Sequence, residues 1–276
     1  MTNERSIAEV NGTRLVYEVT GDGPPVVFLH GFTLDMRMWD DQVPAFAAQH
    51  RVVRYDLRGF GASAPPVVDE PYTHADDLRA LLTHLGIEQA AIVGLSMGGW
   101  VAQEFALAYP ESISALILVD SVLPGYSWGP SLAATIEAIY RVGGEGRLAE
   151  AKAGWLADSL FACSQRSPTA TARLALIVGD YLCWHLLHND PHLPQDPPAR
   201  ERLHDIAAPA LVVVGEEDLH DFQAIAALLA TRIPSARKAV VPEAGHMANM
   251  DAPGAFNRVV LDFLASVGFT AHTASG

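Results

Sequence analysis

Five compact apolar runs constrain this chain more than any other feature. They are "PVVFLH" (25–30), "RVVRYD" (51–56), "AAIVGL" (90–95), "ALILVD" (115–120) and "ALVVVG" (210–215), each with a polar residue or glycine at or next to its end. Short runs rich in Val, Ile and Leu, without alternation, are what strands buried on both faces of a parallel sheet require. Helical patterns lie between and after them, at about 37–49, 73–85, 97–109, 222–232 and 253–267. Strand–helix alternation predicts right-handed crossovers and an α/β fold, a mostly parallel sheet flanked by helices. "RLVYEV" (14–19) alternates instead and follows the turn pair Asn11-Gly12, so it reads as a strand near a sheet edge. "ARKAVVP" (236–242) reads as the last strand, for a sheet of about eight.

The alternation fails once. From about 122 to 205 no strand pattern appears, only helical stretches near 130–142, 146–162 and 169–188, with Pro191 to Pro198 as an exit linker. An ordinary crossover does not need so many residues, so the segment reads as a helical insertion. The expected organisation is a core of 1–121 and 206–268, a helical cap of 122–205 inserted after the sixth strand, and a flexible tail of 269–276. Trp128, Trp155 and Trp184 of the insertion, with Trp39 and Trp100, are candidates to line an apolar pocket.

Composition excludes several function classes. The net charge is −14 and no Lys/Arg cluster occurs, which argues against nucleic acid or an anionic membrane as partner. No apolar run approaches a membrane span, and "MTNERSIAEV" lacks the pattern of a signal peptide. Cys163 and Cys183 make no disulfide framework, so a reducing, cytoplasmic setting is expected. Monomer and homo-oligomer both remain open.

Chemistry enters at "GLSMGG" (94–99), where Ser96 follows a buried run and opens a helical pattern. A G-x-S-x-G pattern alone is common by chance. At a strand–helix junction, however, it describes a sharp turn in which glycines make room and the serine oxygen projects from the sheet top. The Met97 N–H then lies at a helix N-terminus, where an oxyanion is favoured. A serine nucleophile needs a base, and the base needs an orienting carboxylate. His246, in "PEAGHMANMDAP" between the last strand and last helix, is the leading base. "GEEDLHD" after the strand 210–215 offers Glu216, Glu217, Asp218 and Asp221, with Asp218 best placed to return toward the sheet; Asp120, ending the strand 115–120, is the alternative. A second oxyanion donor is expected after "FLHGF", from the Phe32 N–H, with His30 propping that loop. "CWHLLHNDPH" (183–192) sets His185 and His188 on one helix face beside Asp190 and His192, but without a recognised metal-ligand spacing, so no metal is expected.

Five spaced motifs together carry a family resemblance: "HGFTLDMRMWD" (30–40), "YDLRGFGAS" (55–63), "GLSMGG" (94–99), "GEED" (215–218) and "AGHMANMDAP" (244–253). The chain resembles a capped, esterase- or lactonase-like member of the α/β-hydrolase fold over nearly its whole length. The resemblance implies a catalytic triad of Ser96, Asp218 and His246, with Phe32 and Met97 as oxyanion-hole donors and no cofactor. Asp56 and Arg58 match a structural loop of that family. Serine at position 96 sets aside the dehalogenases and epoxide hydrolases of this fold, which place aspartate there. The expected substrate is a small-molecule ester or lactone, mainly apolar and of small to medium size. Carbon–carbon bond hydrolases, enol-lactonases of aromatic degradation, and a slowly turning-over receptor are the alternatives. An acidic lactone would want a basic group in the pocket, for which Arg141, Arg147, Lys152, Arg166 and Arg173 are candidates.

Overall fold

The computed structural model describes residues 5–270. Eight strands, β1 (Ser6–Val10), β2 (Thr13–Thr20), β3 (Pro25–Leu29), β4 (Arg51–Tyr55), β5 (Ala90–Leu95), β6 (Ile113–Val119), β7 (Ala210–Gly215) and β8 (Ala236–Val241), form one sheet. Their order is β1-β2-β4-β3-β5-β6-β7-β8. β1, β2 and β4 pair antiparallel; every later pairing is parallel. Each of the five apolar runs becomes a strand, and β5 and β7 are buried at every position. β1 is an addition to the expected strands. Its sequence, "SIAEV", carries little apolar signal, yet Asn11 and Gly12 both take positive φ and close a β1–β2 hairpin.

Helices α1 (Val43–Ala47), α2 (His74–His84) and α3 (Met97–Ala108) alternate with the first strands. Between β6 and β7 lie only helices: α4 (Pro130–Gly144), α5 (Leu148–Leu156), α6 (Pro168–Asp180), α7 (Trp184–Leu187) and α8 (Ala199–Arg202). α9 (His220–Arg232), α10 (Ala248–Asp251) and α11 (Pro253–Ser266) complete the chain. The helix expected over 169–188 is broken. α6 ends at Asp180, Cys183 takes a left-handed φ of 59°, and α7 starts in a new direction. Of the expected tail, Phe269 stacks on His50 at 5.7 Å and donates its N–H to the Leu264 carbonyl, so it belongs to the packed fold. Residues 271–276 lie outside the described residues. No helix among the described residues is long and apolar enough to cross a membrane.

The sheet order positions the site. The chain leaves β3 for β4 on one side, then returns to place β5 on the other side of β3. Such a switch point leaves a crevice outside the carboxyl ends of the two strands. Leu29 of β3 pairs with Gly94 of β5, so the loop 30–34 after β3 and the turn at Ser96 after β5 emerge side by side.

Candidate active site

Ser96 sits in the turn between β5 and α3 with φ 55° and ψ −114°, a region that non-glycine residues rarely occupy. Its backbone is tied down on both sides. The Ser96 N–H donates to the Val119 carbonyl at 2.9 Å, and the Ser96 carbonyl accepts from Gly99, Trp100 and Val122 at 3.0, 3.2 and 3.1 Å. The turn depends on Gly98: a Cβ there would come within 2.3 Å of the Leu29 carbonyl oxygen and 2.8 Å of that of His30. On the neighbouring loop, a Cβ on Gly31 would lie 3.5 Å from the Ser96 Cβ. The Ser96 and Phe32 segments are therefore in contact.

Two backbone N–H groups flank Ser96. Met97 is the first residue of α3, so its N–H has no intrahelical acceptor, and none accepts it among the described residues. The Phe32 N–H is likewise without an acceptor there. Its direction is set by His30. The Leu57 N–H donates to His30 Nε2 at 2.9 Å, which leaves the proton on Nδ1, and Nδ1–H donates to the Gly31 carbonyl at 2.9 Å. That carbonyl also accepts from the Leu34 N–H at 3.2 Å. Carbonyl and N–H of one peptide point opposite ways, so anchoring the Gly31 oxygen aims the Phe32 N–H away from His30. Full burial lowers the His30 pKa to about 4, against smaller opposing effects of the Gly31 carbonyl and Asp35. The ring stays neutral and keeps this tautomer at ordinary pH.

His246 and Asp218 come from the loops after β8 and β7. His246 Nδ1 lies 3.2 Å from Asp218 Oδ2, with 3% and 0% of the two side chains exposed. The Leu219 N–H holds the other Asp218 oxygen at 2.7 Å, and the Phe222 ring packs 4.1 Å from the imidazole. Asp120 is fully buried nearby, within hydrogen-bonding reach of the Asp218 carboxyl. It accepts from the Gly215 N–H at 2.8 Å and the Ala248 N–H at 3.4 Å, bridging the ends of β7 and the His246 loop. Burial, with the Asp218 charge added, pushes Asp120 well above the usual carboxylate range. Asp120 ties the two loops together through these N–H groups, while the imidazole takes Asp218.

Ser96, Met97, Phe32 and His246 line a cavity of about 320 Å³. Its other walls are apolar: Leu132, Ile136, Ile139 and Tyr140 form a stripe on α4, and Trp155, Leu160 and Phe161 come from α5 and the turn after it. This size is near the lower end for small-molecule sites. Three of the five expected tryptophans, Trp100, Trp128 and Trp155, line it. Two do not. Trp39 is fully buried in the core, 4.8 Å from the Phe28 ring and 6.1 Å from Phe256, where it fills space between β3 and α11. Trp184, re-aimed by the break at Cys183, stacks on His188 at 4.9 Å. The α4 stripe was not singled out from the sequence, although its spacing of three and four residues is the signal of a one-sided helix.

No lysine or arginine lines this cavity. The five basic candidates are engaged elsewhere: Arg141 and Arg147 with Glu145, Lys152 with the Gly179 carbonyl, Arg166 with Glu217, and Arg173 with Asp41. His185 lies off the cavity, stacked 4.4 Å from Phe60, and His192 stacks on His74 at 5.2 Å. Asp56 holds the Met36 and Ala62 N–H groups at 2.9 and 2.8 Å, and Arg58 pairs with Asp77 at 2.6 Å, both structural roles.

Known proteins resemble this chain throughout its length. A family model described as "Alpha/beta hydrolase family" matches residues 26–259. A hydrolase from Pseudomonas aeruginosa superposes with a TM-score of 0.76 at 30% identity, over 96% of this chain and 99% of that one. A thermophilic esterase from Thermogutta terrifontis gives 0.77 at 27% identity, over 96% and 99%. The enol-lactonase from Burkholderia xenovorans gives 0.74 at 29% identity, over 94% and 100%. Sheet order, the site at the strand ends and these likenesses agree: the chain is an enzyme, a hydrolase belonging to the alpha/beta hydrolase family.

Proposed function

We propose that the chain hydrolyses a carboxylic ester or lactone of a neutral, mainly apolar small molecule through an acyl-enzyme on Ser96. One observation carries the reading: Ser96 and His246 share the wall of an apolar cavity, and Asp218 sits on the far nitrogen of His246. His246 Nε2 takes the Ser96 proton as Oγ attacks the substrate carbonyl carbon. Asp218 keeps the imidazole in the Nδ1–H tautomer and stabilises its positive charge. The Phe32 and Met97 N–H groups receive the developing oxyanion. Collapse expels the alcohol, which takes its proton from His246. Water, activated by His246, then releases the acid. This chemistry requires no cofactor.

Residues 122–205 serve in this reading as a cap that closes the apolar cavity over the core segments 1–121 and 206–268. The free thiols of Cys163 and Cys183 support a reducing, cytoplasmic setting. The uncharged lining argues against substrates bearing carboxylates, including acidic enol-lactones and acidic carbon–carbon bond cleavage substrates, because an unpaired buried charge is costly. The test is a panel of p-nitrophenyl esters and lactones of graded chain length, with a terminal carboxylate added to half of them. Neutral members are expected to lead in kcat/KM by about a hundredfold or more. Equal or better turnover of the acidic members would overturn the substrate class. A single stoichiometric burst without further product would make the chain a receptor rather than an esterase.

A further inference from the structure

Residues 31–34 form a tight turn, closed by the Leu34 N–H on the Gly31 carbonyl at 3.2 Å. Thr33 occupies its third position with φ 65°. Glycine is the usual residue at such a position, and a β-branched residue there is strained. The Thr33 side chain is what holds it. Its hydroxyl donates to the Phe32 carbonyl at 2.6 Å and accepts the Trp155 indole N–H at 2.8 Å. Trp155 lies on α5, 122 residues further along the chain, and both residues are buried. The indole also packs edge-on against the Phe32 ring, with centroids 6.3 Å apart.

Two peptides flank Phe32. The first is anchored by His30 and Leu34 through the Gly31 carbonyl; the second is anchored by the Thr33 hydroxyl through the Phe32 carbonyl. With both clamps closed, the backbone of Phe32 has little freedom and its N–H keeps one direction. The second clamp reaches outside the core, to a helix of the segment between β6 and β7. We propose that Trp155 is a positioning residue for the oxyanion hole: through the Thr33 hydroxyl it ties the aim of the Phe32 N–H to the seating of α5 on the core. The proposal rests on the reading of Phe32 as an oxyanion donor. Thr33 left without its hydroxyl partner relaxes from the left-handed region, and the Phe32 N–H swings off the point where the oxyanion forms. Substrate binding to the apolar walls is untouched by this change.

Kinetics of the full chain with a neutral short-chain p-nitrophenyl ester test the link from both ends, with Thr33→Val, Trp155→Phe, the double variant, and Thr33→Ser. Val keeps the shape of Thr, so Thr33→Val removes chiefly the hydrogen bond; Trp155→Phe also trims the cavity wall, and inhibition by the neutral alcohol reports that change separately. Each single variant is expected to lower kcat about 10- to 100-fold, as misaiming one donor does. The double variant is expected to be no slower than the worse single one, because both cut the same link. Ser, which keeps the hydroxyl, is expected to stay within about threefold. Affinity for an alkyl boronic acid, which forms a tetrahedral adduct on the serine, should fall with kcat in Thr33→Val, while inhibition by the corresponding neutral alcohol should hold. A merely structural role would not separate these two ligands. If one single variant does not fold, the other carries the same test. Thr33→Val with undiminished kcat and boronate affinity, or losses that multiply in the double variant, overturns the proposal. Ester hydrolysis that survives Ser96→Ala instead overturns the serine reading beneath it.

Discussion

His246 Nδ1 meets Asp218 Oδ2 at 3.2 Å, whereas Asp120, fully buried, accepts from the backbone N–H groups of Gly215 and Ala248 and lies against the Asp218 carboxyl rather than the imidazole. Two strand-end aspartates thus stand side by side, and Asp218 is the one that meets the imidazole. Asp218→Asn should remove the charge behind the imidazole and lower kcat by about 10³- to 10⁴-fold. Asp120→Asn keeps a side-chain oxygen for the Gly215 N–H where burial already disfavours the carboxylate form, and should cost less than about tenfold. Steady-state kinetics of both variants decide it; the opposite ranking would make Asp120 the acid partner of His246.

The pH response of His30 follows from its burial. Its folded pKa of about 4 lies below the ordinary 6.5, so between these values the unfolded chain takes up a proton that the folded chain refuses. Folding stability contributed by His30 is therefore full above 6.5 and lost as pH falls toward 4. His30→Gln removes that dependence. The stability gap between wild type and variant should narrow by about 2–3 kcal/mol from pH 7 to pH 4.5, measured by urea unfolding. A gap that holds or widens would place a second proton on the folded His30 ring and contradict Nε2 as acceptor of the Leu57 N–H.

Much of this site was legible because strand ends and loops obey local rules. Gly94, Ser96 and Gly98 describe a turn whose backbone contacts leave no alternative, and His246 and Asp218 each follow a recognisable strand. The tryptophans were not legible in the same way. Trp39 and Trp128 are equally apolar, and only the packing of Trp39 against Phe28 and Phe256 sends one to the core and leaves the other on the cavity. The break at Cys183 was hidden for a related reason, since nothing in "GDYLCWHLL" marks a left-handed residue. The link from Trp155 to Thr33 spans 122 residues and leaves no local trace.

Glycines separate by what surrounds them. Gly98→Ala forces a Cβ into the carbonyls of Leu29 and His30, beneath the nucleophile turn. It should cost more than about 2 kcal/mol of stability and most of the hydrolytic activity. Gly154, inside α5, has no atom within 4 Å of a Cβ and an ordinary helical backbone. Gly154→Ala should raise stability by about 0.5–1 kcal/mol with activity unchanged. Thermal and urea unfolding of the pair check this; equal effects at both positions would remove the steric account of the turn.

The central claim is that Ser96 is the nucleophile, and covalent capture tests it most directly. The protein is treated with a fluorophosphonate, digested, and mapped by mass spectrometry, alongside ester turnover by Ser96→Ala. A single adduct on the peptide bearing Ser96, with loss of turnover in proportion to labelling and turnover in Ser96→Ala reduced at least about 10³-fold, is the expected result. An adduct on another residue, or a Ser96→Ala variant that keeps most of its activity, would contradict the account.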